Sequence, residues 1–227
     1  MVFDKQLKPY IGVTPANHGG RELARAVWRG TNARPHWSYR GCDGAFVTVE
    51  IYSAAQEVEL FVNEKSLGRK ILEDFQASYQ VAYESGVIRA VAYDVYGNAV
   101  GESHLMSATG QTGLAITQEK DFLPTEEDRG LASCEDERIV YLDLALVGEN
   151  GEIECNDDRL LEVSVEGGRL LAFGSADPKT EDEYLSGKYH SYFGQAQAII
   201  ALPSELKEMP TITIAGEGME KITKEIL

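Results

Sequence analysis

The chain has 227 residues, among them 22 glycines, 11 tyrosines and three cysteines, and a net charge of −16. That length suits two ordinary domains or one large one, and it leaves no room for a (β/α) barrel, which alone takes about 250 residues and a repeating strand–helix pattern. The acid excess lies in the second half: residues 1–114 carry 11 basic and 12 acidic side chains, residues 115–227 carry 10 and 25, so phosphate backbones and anionic membranes are poor partners.

In chain order, Tyr10-Ile11-Gly12-Val13 reads as a short strand stopped by Pro15, and Asn17-His18-Gly19-Gly20 as a loop. Leu23, Val27 and Trp28 have helical spacing within 21–29, too short a stretch to be stable alone. Residues 35–44 form an aromatic-rich loop.

From residue 47 the pattern is strictly alternating. Val47, Val49 and Ile51 interleave with Thr48, Glu50 and Tyr52; Val58, Leu60 and Val62 interleave with Glu57, Glu59 and Phe61. Period two buries one set and exposes the other, which predicts two half-buried strands. Residues 63–66 read as a tight turn, opened by an Asn that tolerates positive φ, into a strand at 67–71. Further strands follow at 77–82, 87–95 and 99–105. The stretch 87–95 is apolar on both faces, as a central strand is, and Tyr96-Gly97-Asn98 supplies the next turn. Strands at this spacing predict a sandwich.

Residues 106–113 are small and polar and mark a domain boundary. Beyond it, strands are predicted at 114–117, 139–146, 161–165, 170–173, 193–202 and 211–215. Asn150-Gly151 is the strongest hairpin signal, and Gly167-Gly168 predicts a second hairpin. Residues 119–137 and 174–188 read as loops, the latter acidic. The fold class is all-β.

The run VEIYSAAQEVELFVNEKSLGR resembles the signature of the immunoglobulin-like domain that follows the catalytic barrel in family 2 glycoside hydrolases, especially the β-galactosidase branch. It departs from the family pattern at Glu64, where Gly is usual. KPYIGVTPANHGG, AVWRG and PHWSYRGCDG resemble the segment that joins barrel to domain. SATGQTGLAITQEK, LLAFGSADPKTEDEY and YFGQAQAII resemble a second such domain. The resemblance implies two tandem immunoglobulin-like β-sandwich domains at 45–108 and 109–227, preceded at 1–44 by a linker and first strand leading from a barrel that these residues lack. It implies a non-catalytic scaffold in a parent that hydrolyses terminal β-galactosides. Implied partners are the parent's barrel, β-galactoside sugars and a homo-oligomer formed through the parent.

The family's retaining hydrolysis needs two carboxyls about 5–5.5 Å apart, and no position here matches the barrel motifs that supply them. No catalytic residue is therefore assigned. The alternative is a carbohydrate-binding module, with Trp37 and Tyr39, beside Trp28, stacking on a sugar face; their bland role is packing the core. Asp177, Glu181, Asp182 and Glu183 lack EF-hand spacing, so a solvated loop is expected rather than a cation site. His18, His36, His104 and His190 are scattered, and no metal or cofactor is expected. Cys42, Cys134 and Cys155 contain no C-x-x-C; reduced thiols are the expectation and a Cys134–Cys155 bridge the alternative. The start MVFDKQLKPY has no signal-peptide pattern, so the expected compartment is the cytoplasm.

Overall fold

The computed structural model describes residues 6–16, 30–118, 137–203 and 205–226. All regular elements among them are strands, and all pair antiparallel. The chain divides into two compact units, Met1–Ala108 and Thr109–Leu227. Each is an immunoglobulin-like β-sandwich.

The first unit contains β1 (Tyr10–Val13), β2 (Phe46–Tyr52), β3 (Glu57–Val62), β4 (Lys65–Ile71), β5 (Gln76–Ala82), β6 (Val87–Tyr93) and β7 (Ala99–Met106). One sheet has the order β1-β2-β5, the other β4-β3-β6-β7. The register places Val47 opposite Val81, Val49 opposite Tyr79 and Ile51 opposite Ala77, so one whole face is apolar and buried. Facing it are Val58, Leu60 and Val62 of β3 and Ile88, Ala90 and Ala92 of β6, also buried. Tyr79 crosses between the sheets, its hydroxyl 2.9 Å from the Val58 carbonyl and 3.1 Å from that of Gly68. Burial pushes the Tyr79 phenol up to about 12.

The turn after β3 is shorter than its sequence suggests. Asn63 and Glu64 both take positive φ, 46° and 66°, so two residues reverse the chain and β4 begins at Lys65. Asn63 fixes the turn: its Oδ1 accepts from Val87 N at 2.9 Å and its Nδ2 donates to Ser85 O at 3.0 Å. β6 stops at Tyr93 rather than Val95. Asp94 Oδ1 there accepts from the amides of Tyr96 and Asn98, at 2.8 and 2.9 Å, which bends the chain out of the sheet. The predicted helix at 21–29 and the loop 119–136 lie outside the described residues.

The second unit contains β8 (Gly113–Gln118), β9 (Glu137–Val147), β10 (Leu160–Glu166), β11 (Arg169–Gly174), β12 (Lys188–His190), β13 (Gln195–Pro203), β14 (Thr211–Gly216) and β15 (Ile222–Glu225). Its sheets run β12-β10-β14-β15 and β11-β13-β9-β8. Val140, Leu142 and Leu144 of β9 lie opposite Ile200, Ala198 and Ala196 of β13. They bury against Leu161, Val163, Ile212 and Ile214 of the other sheet.

Of the two hairpin expectations, one is corrected. Gly167-Gly168 joins β10 to β11, but these strands belong to different sheets, so the diglycine is an arch between layers. Gly167 takes φ +72°, and a Cβ on Gly168 would lie 2.7 Å from Leu202 Cδ2, so the arch needs glycine for close packing as well as for its backbone. Asn150-Gly151 does reverse the chain, with Gly148 N donating to Glu152 O at 2.9 Å. Its returning arm pairs only briefly, through the bridge Val147–Ile153 and Glu154 N donating to Leu146 O at 2.8 Å, so the hairpin is a short one. β12 and β15, of three and four residues, are too short to show a period.

Candidate functional site

Trp37 and Tyr39 sit beneath the first sandwich, where Tyr83, just after β5, organises them. Trp37 is 0 % and Tyr39 1 % exposed. The Tyr83 ring meets both edge-on, with centroids 4.9 Å from Trp37 and 5.4 Å from Tyr39. Trp37 Nε1 donates to Glu84 O at 3.2 Å. The Tyr39 amide donates to the Tyr83 hydroxyl at 3.0 Å. Ser107 Oγ donates its one proton to Trp37 O and accepts from Gly86 N at 3.1 Å. The Tyr83 hydroxyl, 3.1 Å from Ser107 Oγ, therefore donates toward that serine or toward Ser85 Oγ at 3.2 Å. This is a closed structural network. Neither ring has an open face, because both fill the core at the point where Tyr83 locks the sandwich. The assignment of Trp37 and Tyr39 to substrate binding is corrected accordingly; Trp28 lies outside the described residues.

The carboxyls point the same way. An acid/base in glycoside hydrolysis needs its carboxyl held above the ordinary range. The perturbed carboxyls among the described residues go down. Glu59 is lowered first by the Ser66 hydroxyl, then by Tyr93 and Arg69, with Ser66 Oγ at 2.6 Å and Arg69 Nε at 3.3 Å. Asp94 is lowered by Asn98. Asp182 is lowered by the His190 amide and ring, both at 2.8 Å. Each is stabilised as an anion, the reverse of a proton donor.

The acidic loop between β11 and β12 is held by its own contacts. Tyr184 O accepts from Phe173 N at 2.8 Å, and the Tyr184 ring stacks on Tyr189 with centroids 5.1 Å apart. Asp177 Oδ1 accepts from Lys179 N at 2.9 Å, while Asp182 is taken by His190. Among the described residues no three His, Cys, Asp or Glu side chains gather as a metal site. His36 is half-buried in the first unit, and desolvation followed by Arg34 lowers its pKa. Cys155 is buried and Cys42 half-buried; His18 and Cys134, and with it the Cys134–Cys155 pairing, lie outside the described residues.

The side chains that do face solvent were not singled out by sequence. Tyr96 is 86 % exposed and Val95 70 %, on the rigid turn that Asp94 builds. Phe75 is half exposed at the β4–β5 turn, where Asp74 and Phe75 take φ of 48° and 67°. The legible signals were an Asp four residues before Asn in D-V-Y-G-N, which is an Asx-turn pattern, and an aromatic following Asp between two strands.

Two family models match the chain. Residues 44–101 match a domain of unknown function, DUF4982, and residues 123–225 match glycoside hydrolase family 2 C-terminal domain 5. A β-galactosidase, BoGH2A, from Bacteroides ovatus is 24% identical over 85% of this chain and 22% of its own length. A putative β-glucuronidase from Formosa agariphila is 26% identical over 81% of this chain and 18% of its own. The chain thus spans about a fifth of the length of these relatives. Among solved structures, a glycosyl hydrolase family 2 member from Bacteroides cellulosilyticus superposes with a TM-score of 0.80 at 20% identity, over 100% of this chain and 29% of that one. A β-glycosidase from Bacteroides vulgatus gives 0.69 at 22%, over 96% and 24%. These structures share the fold.

Proposed function

Taking as premise that this chain is a C-terminal accessory region of a glycoside hydrolase family 2 protein, we propose that it is the non-catalytic scaffold of a β-galactosidase-like enzyme. The catalytic barrel belongs to other residues of that enzyme, which cleaves terminal β-galactosides with retention through a carboxyl pair. The two sandwiches pack beside the barrel and fix its orientation.

The observation that carries this reading is the pair of family matches, placed in tandem on an otherwise committed structure. Trp37, Tyr39 and Ser107 are engaged in the Tyr83 network, and the perturbed carboxyls among the described residues are stabilised as anions. Fold by itself does not assign activity, so the substrate rests on the relatives. One is named for galactoside and one for glucuronide cleavage at similar identity, and the β-glucuronide is therefore the second substrate to test.

The test is an assay of this chain and of the longer protein that contains it, on nitrophenyl β-galactoside and nitrophenyl β-glucuronide. Turnover of the galactoside by the longer protein and none by this chain is the expected result. Preference for the glucuronide would reassign the substrate. Turnover by this chain alone would overturn the scaffold reading.

A further inference from the structure

Strand directions in the first unit gather four segments at one end of the sandwich. β2 and β6 end there and β5 and β7 begin there, so residues 53–56, 72–75 and 94–98 lie together. Residues 6–9 cross the same end before β1: Ala54 N donates to Gln6 O at 2.9 Å, Ser53 Oγ to Leu7 O at 2.7 Å, and Ser103 Oγ to Pro9 O.

The exposed large apolar side chains concentrate at this end. Among the described residues the first unit has eight of them, and six are here: Leu7, Tyr10, Ile71, Phe75, Val95 and Tyr96. Isolated exposed apolar residues are ordinary, whereas a gathered set marks a contact surface. Two features show that the set is built rather than left over. The 94–98 turn is locked by Asp94, whose Oδ2 also accepts from Asn98 Nδ2 at 3.1 Å, so Tyr96 is presented on a rigid support. Phe75 holds a left-handed backbone, φ 67°, that is unfavourable for a non-glycine residue, while half its surface faces water.

On the reading given above, we infer that this end of the first sandwich is the docking face for an apolar surface of a preceding domain of the same polypeptide. The chemistry favours protein over sugar. Ile71, Val95 and Leu7 are aliphatic, and offer a sugar neither a flat ring nor a hydrogen bond, whereas mixed aromatic and aliphatic side chains are what a protein contact buries at its centre. The path of residues 6–9 favours a tethered partner, since a domain joined ahead of them is held at this end at high effective concentration. The matched relatives hold about four-fifths of their length outside the matched region, which supplies such a domain.

The test is amide hydrogen exchange on this chain and on the longer protein containing it, each with and without the double substitution Val95→Asp and Tyr96→Ser. In the longer protein the amides of 72–76 and 94–98 exchange about 10-fold or more slowly than in this chain alone, and the double substitution removes that difference. Because both side chains are exposed, the substitution leaves the melting temperature of this chain unchanged, which separates lost docking from lost folding. Equal exchange in the two contexts overturns the inference. So does protection of this chain alone that grows with its concentration, which assigns the face to a second copy, or that appears with galactose, lactose or glucuronate, which assigns it to sugar. Turnover of the nitrophenyl glycosides, measured on the same longer protein, reports on the enzyme reading separately: an active enzyme with unprotected turns defeats only the docking face.

Discussion

Replacing Tyr83 by Phe removes one oxygen and nothing else from the core of the first unit. That oxygen accepts the buried Tyr39 amide at 3.0 Å and lies 3.1 Å from Ser107 Oγ. Deleting it takes the acceptor from a donor held away from water, an effect of about 1–3 kcal/mol, and a second hydrogen bond of about 1 kcal/mol. The sum is roughly 2–4 kcal/mol, which lowers the melting temperature of a unit of this size by roughly 10–30 °C. Ser107→Ala disturbs the same network from the other side, since Ser107 bonds both Trp37 O and Gly86 N. Because the two residues share a bond, the double variant loses less than the sum of the singles. The assay is calorimetry of the 227-residue chain, with exchange of the Trp37 and Tyr39 amides identifying the affected transition. A fall in Tyr83→Phe of under about 3 °C, or strict additivity in the double variant, would refute the argument that this hydroxyl locks the unit.

Phe75→Gly relieves a left-handed residue whose ring is half exposed, so it stabilises this chain by about 1 kcal/mol in denaturant titration. Gly194→Ala places a Cβ 2.4 Å from the Glu154 carbonyl at φ +67°; it destabilises the second unit by roughly 2 kcal/mol or more, read as a lower unfolding midpoint. Asp182 binds its proton less readily folded than unfolded, because the His190 amide and ring hold its anion. Its contribution is therefore present above the ordinary carboxyl pKa of about 3.8 and is lost as pH falls through the lower folded value. A titration of stability from pH 6 to 2 shows a shallower acid loss for Asp182→Asn than for the parent chain.

The strands most visible in the sequence are those with one wet face. β2, β3, β9 and β13 alternate because burial on one side only forces it. β6 reads as a central strand, and it is one: Val91 points away from the core yet is nearly buried on the outer face of a strand flanked by β3 and β7. Its end was misplaced because Val95 continues the apolar run, while the ending is set by hydrogen bonds to Asp94, which hydropathy does not register. The diglycine failed for a related reason. Local chemistry specifies that the chain turns, and only the partners of β10 and β11 decide whether it stays in one sheet. Aromatic content is the same in a platform and in a core, so the sequence leaves both roles open for Trp37 and Tyr39, and burial settles on the core. What buries them is Tyr83, more than 40 residues downstream, together with Ser107, further still.

The strongest case for a contact at one end of the first unit comes from how the same unit treats its other surfaces. β4 is an edge strand exposed along its whole length, and such edges invite pairing with other chains. This one carries Lys65, Arg69 and Lys70, a break in register opposite Glu59 and Phe61, and Gly68 at φ +90°. Arg69 lies over the Tyr93 ring at 3.4 Å and Arg89 over Phe61 at 4.2 Å, so charged heads cover the aromatic groups of the outer sheet face. Among the described residues nothing comparable covers Tyr96, Val95 or Phe75. A unit that shields its sheet face and spoils its open edge, yet leaves rigid apolar turns bare at one end, is arranged for association there and against it elsewhere.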